Sequence, residues 1–378
     1  MGGGIAQLAL SRGHRVVLSD AAADAVAAAR MSIAAALALD VGKGRLSPGG
    51  DHAALGGLQV VDGAAVSDAF GVCDLVIEAI AERLDAKRAL LRDLESVVQP
   101  DCVLATNTSS LPVTAIAAAC RHPERVVGMH FFNPAPVMPL VEIIPAAQTS
   151  DEVTRAVRAL ADRWGKVTVR ASDTPGFIVN RVARPFYGEA LRLLEEGVAD
   201  APTIDWAMRE IGGFRMGPFL LMDFIGHDVN YAVTESVWAA TYYDPRYRPS
   251  VLQRRLVDAG WLGRKAGRGF YDYHPDAPAR DAREDARLGA AMVHRIVAML
   301  VNEAVDAVHW RIATPDDVEL AMTKGVNYPK GLLAWGNEIG LPQVLGEIER
   351  LREVTSDERY RPSPLLRRMA RDGARFFE

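Results

Sequence analysis

The first 173 residues alternate between short β-branched runs and helical patterns, and no other feature of the chain narrows its fold as much. The runs are "RVVL", "LQVV", "DLVIEAI", "CVLATN", "RVVGMHF" and "LVEII". Helical periods lie between several of them, at 25–39, 82–98 and 150–164. The last carries Val153, Ala156, Val157, Leu160 and Trp164 on one face, with Ser150 as N-cap and Gly165 as stop. A parallel strand pair needs a long crossover, usually a helix, so this alternation predicts a doubly wound, mostly parallel sheet. From Pro175 onward the strand signal disappears and long helical periods take over.

The chain opens on "MGGGIAQLALSRGHRVVLSD". A glycine cluster runs into a helix with Ile5, Leu8 and Ala9 at core spacing. Gly13 then ends the helix, and a strand follows that closes on the acid Asp20. That order is the back half of a dinucleotide-binding unit, in which backbone N–H groups at a helix N-terminus hold a pyrophosphate.

The helical part repeats itself. "GEALRLLEEGVADAPTIDWAMREIG" resembles "NEAVDAVHWRIATPDDVELAMTKGV" in constant register. Glu189 and Glu303, Ala190 and Ala304, Met208 and Met322, and Gly226 and Gly340 each differ by 114. "DPRYRPSVLQRR" echoes "DERYRPSPLLRR" at an offset of 113. Two copies make a tandem duplication rather than a solenoid, which needs about three units. The expected linker is "HPDAPARDARED". The expected domains are 1–173, 174–275 and 286–378, an α/β doubly wound sheet followed by two all-α helical copies. Each copy offers an apolar face, including Ala190, Leu194 and Met208 in the first and Ala304, Val308 and Met322 in the second.

With 43 basic and 48 acidic residues the net charge is −5, which argues against a general nucleic-acid binder. Cys73, Cys102 and Cys120 are scattered without metal-ligand spacing, so no metal site is expected, and they read as reduced core residues. Arg30 and Ser32 interrupt the alanine-rich 25–39, and no apolar run is expected to reach a membrane span of about 18 residues. The expectation is a cytoplasmic protein with no membrane partner.

The densest chemistry lies in "GMHFFNPAPVMPLVEII". His130 sits at a strand end and Glu142 lies inside the next strand. A carboxylate in an apolar strand is costly unless it has a partner, and the histidine is a suitable one. Such a pair makes a general base, the carboxylate fixing the tautomer and stabilising the imidazolium. A capped core histidine beside an edge-strand glutamate is the structural alternative. "ATNTSSLP" lies at the C-terminal end of another strand, where ligands sit in open α/β sheets. Ser109 and Ser110 could equally cap a helix starting at Val113. In "DTPGFIVNR", Asn180 opens the helical region as a candidate ligand or a satisfied polar residue.

"NTSSLP", "HFFNPAPVMPLVEII", "DTPGFIVNR" and "GPFLLMDFIGHDV" together resemble the 3-hydroxyacyl-CoA dehydrogenase family, from residue 1 to about 275. The second helical copy continues the likeness to the C-terminus, as in longer bacterial 3-hydroxybutyryl-CoA-type members. The resemblance implies oxidation of the L-3-hydroxy group of an acyl-CoA, a step of fatty-acid β-oxidation, with NAD as cofactor. It matches His130 to the catalytic base, Glu142 to its orienting carboxylate, and Ser109 and Asn180 to polar residues around the substrate oxygens. Asp20 falls where an acid meets the adenosine ribose, which favours NAD over NADP. Glu82 and Lys87 match positions near the nicotinamide, and Asn107 also falls among the cofactor positions. Lys43 and Arg45 fall where the family's helical hairpin meets CoA phosphates, though a solvated turn fits them equally.

Family members open with an apolar strand and a full glycine fingerprint. Here Gly2 fits its third glycine, Gly4 belongs to the same run, and the first strand is missing; the expectation is a start codon further upstream. The predicted consequence is a glycine-led helix with no strand feeding it and an open ladder within the sheet. "DTPGFIVNR" is read as having no counterpart ahead of the second copy, which makes that copy a covering module. Either a homodimer or a monomer whose tandem copies mimic one is expected. Two other functions stay open: a catalytically impaired, crystallin-like relative and a sugar-acid dehydrogenase of the same superfamily.

Overall fold

The computed structural model describes residues 1–62, 66–278 and 281–377. Two residues of the expected linker, 279 and 280, lie outside them. The chain divides into two compact units, Met1–Asp173 and Thr174–Glu378.

The first unit is the α/β half. Its strands are β1 (Val16–Asp20), β2 (Leu58–Asp62), β3 (Leu75–Glu78), β4 (Val103–Thr106), β5 (Val126–Phe131), β6 (Leu140–Pro145) and β7 (Val167–Arg170). Six coincide with the runs read from the sequence; β7 was not among them. β1 and β2 pair in parallel as one sheet, and β3-β4-β5-β6-β7 form a second. Only β5 and β6 run antiparallel; the other ladders are parallel. Helix α1 (Gly2–Ser11) opens the chain with Met1 as N-cap. β1 pairs only with β2 and β3 only with β4, so one edge of each has no ladder partner among the described residues.

Burial follows periodicity. Ile5, Leu8 and Ala9 of α1 join Val127, Met129, Phe131, Val141 and Ile143 in one core, while Ala6 and Leu10 face Ile33 and Leu37 in another. The helix Asp151–Arg163 begins at Ser150, whose side chain accepts from the Val153 N–H, and ends at Gly165 with φ 79°. The helix Val113–Ala117 is capped differently from either serine option. Its first N–H groups, from Val113 and Thr114, donate to the Asp173 carboxylate at 2.9 and 2.7 Å.

Among the described residues, two helices are long and apolar enough by length and composition to cross a membrane, which corrects the expectation that no run reaches that length. Arg30 and Ser32 do not break α2 (Ala23–Gly42), because an apolar span tolerates an isolated polar residue; its most apolar window is 17% buried. The other, Ala286–His309, is the core helix of the second unit, its most apolar window 78% buried.

That unit is helical, with isolated bridges at Gly263, Arg268 and Asp272 in place of strands among the described residues. The duplication recurs in its backbone. Single π-helical turns lie at Ala207–Ile211 and Ala321–Gly325. Gly226 and Gly340 have φ 99° and 95°, each linking a short helix to the next. Helix Ala286–His309 of the second copy packs on Arg184–Glu195 of the first. Ala190, Met208, Ala304 and Met322 are buried there, and Leu194 and Val308 are half-buried.

Buried charge passes between the copies reciprocally. Glu303 of the second copy accepts from Arg181 (2.8 Å), Arg246 (3.1 Å) and the Tyr247 hydroxyl of the first. Glu189 of the first accepts from Arg295 (3.0 Å) and Tyr360 (2.9 Å) of the second, with Arg359 at 3.6 Å. Each residue's counterpart makes the counterpart contact, which is the signature of a twofold interface. The register also corrects one expectation. An offset of 114 carries Asn180–Arg181 onto His294–Arg295, so "VNR" does have a counterpart, "VHR", in the second copy.

Candidate active site

In the antiparallel β5–β6 ladder, His130 and Glu142 are direct partners. Directly opposed residues project to the same face with Cβ atoms about 4.5–5.5 Å apart, so register alone brings the two side chains together. His130 Nδ1 lies 2.6 Å from Glu142 Oε2, and both side chains are buried. A neutral ring held this way donates from Nδ1, which makes Nε2 the accepting nitrogen. Phe132 packs on the imidazole at 4.5 Å between ring centroids.

The hairpin between these strands contains a cis Asn133–Pro134 bond. Lys166, at the start of β7, donates to the Ala135 and Met138 carbonyls at 2.6 and 2.8 Å and so ties the hairpin down. Burial, helped by the Arg12 charge, pulls its ammonium down to about 8. Nothing in its sequence neighbourhood marks this lysine, because its partners are main-chain atoms.

A second cluster forms at the ends of β3 and β4. Glu82 Oε1 accepts from the Ser109 and Ser110 N–H groups at 2.8 and 3.0 Å, from both serine hydroxyls, and from Thr108 Oγ1 at 2.7 Å. Burial pushes the Glu82 carboxyl up, but the Thr108 hydroxyl, the Lys87 charge and the serine donors outweigh it and hold the group below its ordinary value. Lys87 is fully buried. It donates to both Glu78 oxygens at 2.9 Å and to the Ile80 carbonyl, and its ammonium lies 3.4 Å from Glu82. Glu78, not singled out from the sequence, also accepts from Thr106. Asn107 Oδ1 accepts from the Phe131 N–H at 2.8 Å, which links this strand end to that of His130.

The remaining candidates are dispersed. Gly2 and Gly4 open α1, and a Cβ on Gly4 would meet Pro136 and Ala135 of the hairpin at 3.4 and 3.5 Å. Asp20 is exposed at the end of β1 and accepts from the Ala22 N–H. Lys43 is exposed just past α2, where Arg45 pairs with Asp40. Asn180 belongs to the second unit, in the short helix Val179–Val182, and its carbonyl accepts from Arg184 Nε at 2.8 Å. Among the described residues no group of acids, histidines and cysteines could hold a metal ion.

A buried imidazole–carboxylate pair and a hydroxyl-rich strand end, beside a helix that opens on glycines, suit proton abstraction next to a dinucleotide. Comparison with known proteins agrees. Residues 1–174 match the 3-hydroxyacyl-CoA dehydrogenase NAD binding domain, and residues 176–273 and 292–375 match the same family's C-terminal domain. The chain is 38% identical to 3-hydroxyadipyl-CoA dehydrogenase of Escherichia coli (strain K12), covering 98% of this chain and 95% of that protein. It is 42% identical to a probable 3-hydroxybutyryl-CoA dehydrogenase of Bacillus subtilis (strain 168), over 72% and 94%. A crystal structure of 3-hydroxybutyryl-CoA dehydrogenase from Escherichia coli K12 superposes with a TM-score of 0.92, covering 98% of this chain and 96% of that one. The chain therefore belongs to the 3-hydroxyacyl-CoA dehydrogenase family and is an NAD-dependent oxidoreductase of 3-hydroxyacyl-CoA substrates.

Proposed function

We propose that His130 is the general base of this oxidation and that Glu142 orients it. The observation that carries this is the ladder pairing of the two residues with a 2.6 Å contact at Nδ1. With Nδ1 engaged, Nε2 takes the proton of the substrate's 3-hydroxyl, and Glu142 stabilises the imidazolium formed. NAD, when bound, supplies the hydride acceptor. Gly2 would hold its phosphates at the N-terminus of α1, where the dipole favours an anion, and Gly4, whose N–H already donates to the Met1 carbonyl at 2.9 Å, would let the first turn lie close. The fit at Gly2 is open space: outside its own helix backbone and chain neighbours, only the Ala79 Cβ, at 3.9 Å, comes within 4 Å of a Cβ built there, whereas Gly4 backs onto the hairpin. Asp20 would take the ribose hydroxyls, and Glu82 and Asn107 would face the nicotinamide side, with Lys87 acting through Glu82 and Glu78. Ser109, held by Glu82, and Asn180 would position the substrate's oxygens, and Lys43 would meet CoA phosphate.

The substrates are short 3-hydroxyacyl-CoAs, in the range between the butyryl and adipyl compounds that the named relatives act on. The reciprocal Glu303 and Glu189 contacts support a single chain whose two copies replace a dimer. Cys102 and Cys120 favour a cytoplasmic location: both are free thiols, pushed by burial to about 12 and about 11.

The test is NADH-dependent reduction of acetoacetyl-CoA. His130→Gln is expected to lower turnover roughly 10²–10⁴-fold with little change in NADH affinity. Wild-type turnover in the variant would rule the assignment out.

A further inference from the structure

Arg184 begins the helix Arg184–Glu195 and is buried, with 7% of its surface exposed. Its Nε donates to the Asn180 carbonyl at 2.8 Å and its Nη1 to Thr234 Oγ1 at 2.9 Å. Among the described residues Nη2 meets no acceptor, and the guanidinium has no carboxylate partner. Burial pulls its pKa down. A buried cation without a counter-charge is costly, and the same unit avoids that cost elsewhere: Arg181, Arg246 and Arg295 all face glutamates.

Arg184, Tyr187, Thr234 and Gln253 line a cavity of about 400 Å³ within the second unit. The other four arginines on its wall, Arg192, Arg246, Arg248 and Arg359, each have a carboxylate within 4 Å. Glu189 and Glu195, also on the wall, are engaged as well, by Arg295 at 3.0 Å and by Ser250 at 2.6 Å. Arg184 is the guanidinium there whose charge is left unmet.

The duplication supplies an internal control. At the offset of 114, Arg184, Tyr187 and Thr234 correspond to Ala298, Val301 and Ile348, and at the offset of 113 Gln253 corresponds to Leu366. All four counterparts are apolar and fully buried, at 0% exposure. The helical module therefore folds with hydrocarbon at each of these positions, so the fold itself does not call for the polar lining. Replacing a buried charge by well-packed apolar groups is often neutral or stabilising. The first copy keeps the charge, and keeps it beside a cavity.

We infer that this cavity binds a small oxyanion, a carboxylate or phosphate group, on the Arg184 guanidinium. The planar fork of N–H donors matches two oxygens of either group, and the bound charge supplies the missing partner. None of the lining residues is assigned a part in the oxidation, and the inference does not rest on the dehydrogenase assignment.

The test titrates the full chain in a calorimeter with sodium phosphate and, separately, with sodium acetate, against sodium chloride at matched ionic strength. One equivalent of at least one of the two anions is expected to bind, with a Kd of about 1 mM or tighter. Tighter phosphate identifies a phosphate-bearing ligand, and tighter acetate a carboxylic acid. Arg184→Met should weaken that binding at least about tenfold, and Arg184→Lys, which keeps the charge without the fork, by less. Thr234→Ile and Gln253→Leu bring the second copy's side chains into the cavity. Both should weaken binding too, and they serve if Arg184→Met does not fold. Neither anion binding beyond the chloride blank, or binding that none of Arg184→Lys, Thr234→Ile and Gln253→Leu moves, overturns the inference.

Discussion

Glu142 stands directly opposite His130 in an antiparallel ladder, and its Oε2 lies 2.6 Å from the ring's Nδ1. A slip of one residue would send one side chain to the other face of the sheet, so the pair is specified by register as much as by side-chain choice. In the role proposed for the pair, Glu142→Gln keeps the shape but removes the charge that would stabilise the imidazolium. Turnover is expected to fall by about 10²-fold or more while NADH affinity holds, checked by steady-state kinetics and fluorescence titration.

Glu82 gathers donors from Thr108, Ser109 and Ser110, and its carboxyl is held below its ordinary value. A carboxyl depressed in the folded state stabilises the fold above its unfolded pKa, and that stability is lost as pH falls through the folded pKa. Glu82→Gln should therefore flatten the acid limb of a melting-temperature profile below about pH 4.5. It should also raise KM for acyl-CoA by loosening Ser109. An unchanged acid limb would refute the electrostatic part of this account.

Lys166 holds the hairpin that joins the His130 and Glu142 strands. Lys166→Met leaves two carbonyls without their donor, for an expected loss of about 1–3 kcal/mol in denaturant unfolding. The wild-type ammonium is pulled down to about 8 from 10.5. Its buried charge thus costs stability below about pH 8, and that cost is relieved as pH rises toward 10.5. The gap between wild type and Lys166→Met should widen across that window.

Glu303 accepts from Arg246 and Tyr247, both buried with it, and from Arg181, which is nearly so. Glu303→Ala is expected to cost about 3 kcal/mol, the lower end for a broken buried pair, because Asp306 still faces Arg246 at 2.7 Å and Arg181 at 3.6 Å. Glu189→Ala, its counterpart at the Arg295 and Tyr360 contacts, should cost a similar amount. Equal stability of either variant with wild type, by denaturant titration, would show that these pairs contribute little.

His130 and Glu142 were legible in the sequence because each is the polar exception in an apolar strand run, and two adjacent strands leave few places for them. The helical duplication was equally plain, since a constant offset survives in side chains. Asp173 was not legible as a cap: it reaches Val113 from 60 positions away, a closure that no local spacing records. Lys166 and Arg184 escaped notice because they bond carbonyls, and every residue has one. β7 is not legible because "VTVR" interleaves Thr and Arg with its valines and so makes no apolar run, unlike the equally short β3 and β4.

The reciprocal contacts around Glu303 and Glu189 join two copies encoded in one gene. In a true homodimer each substitution strikes both sides of the interface at once; here each side mutates alone. The chain has used that freedom at matched positions. Asp306, bonded to Arg246 at 2.7 Å, corresponds by the 114 offset to Arg192, which pairs instead with Asp357 at 2.5 Å. Asn180 likewise corresponds to His294. Two copies in one chain are thus free of the symmetry constraint on adaptation, because either half can change a matched residue without the other.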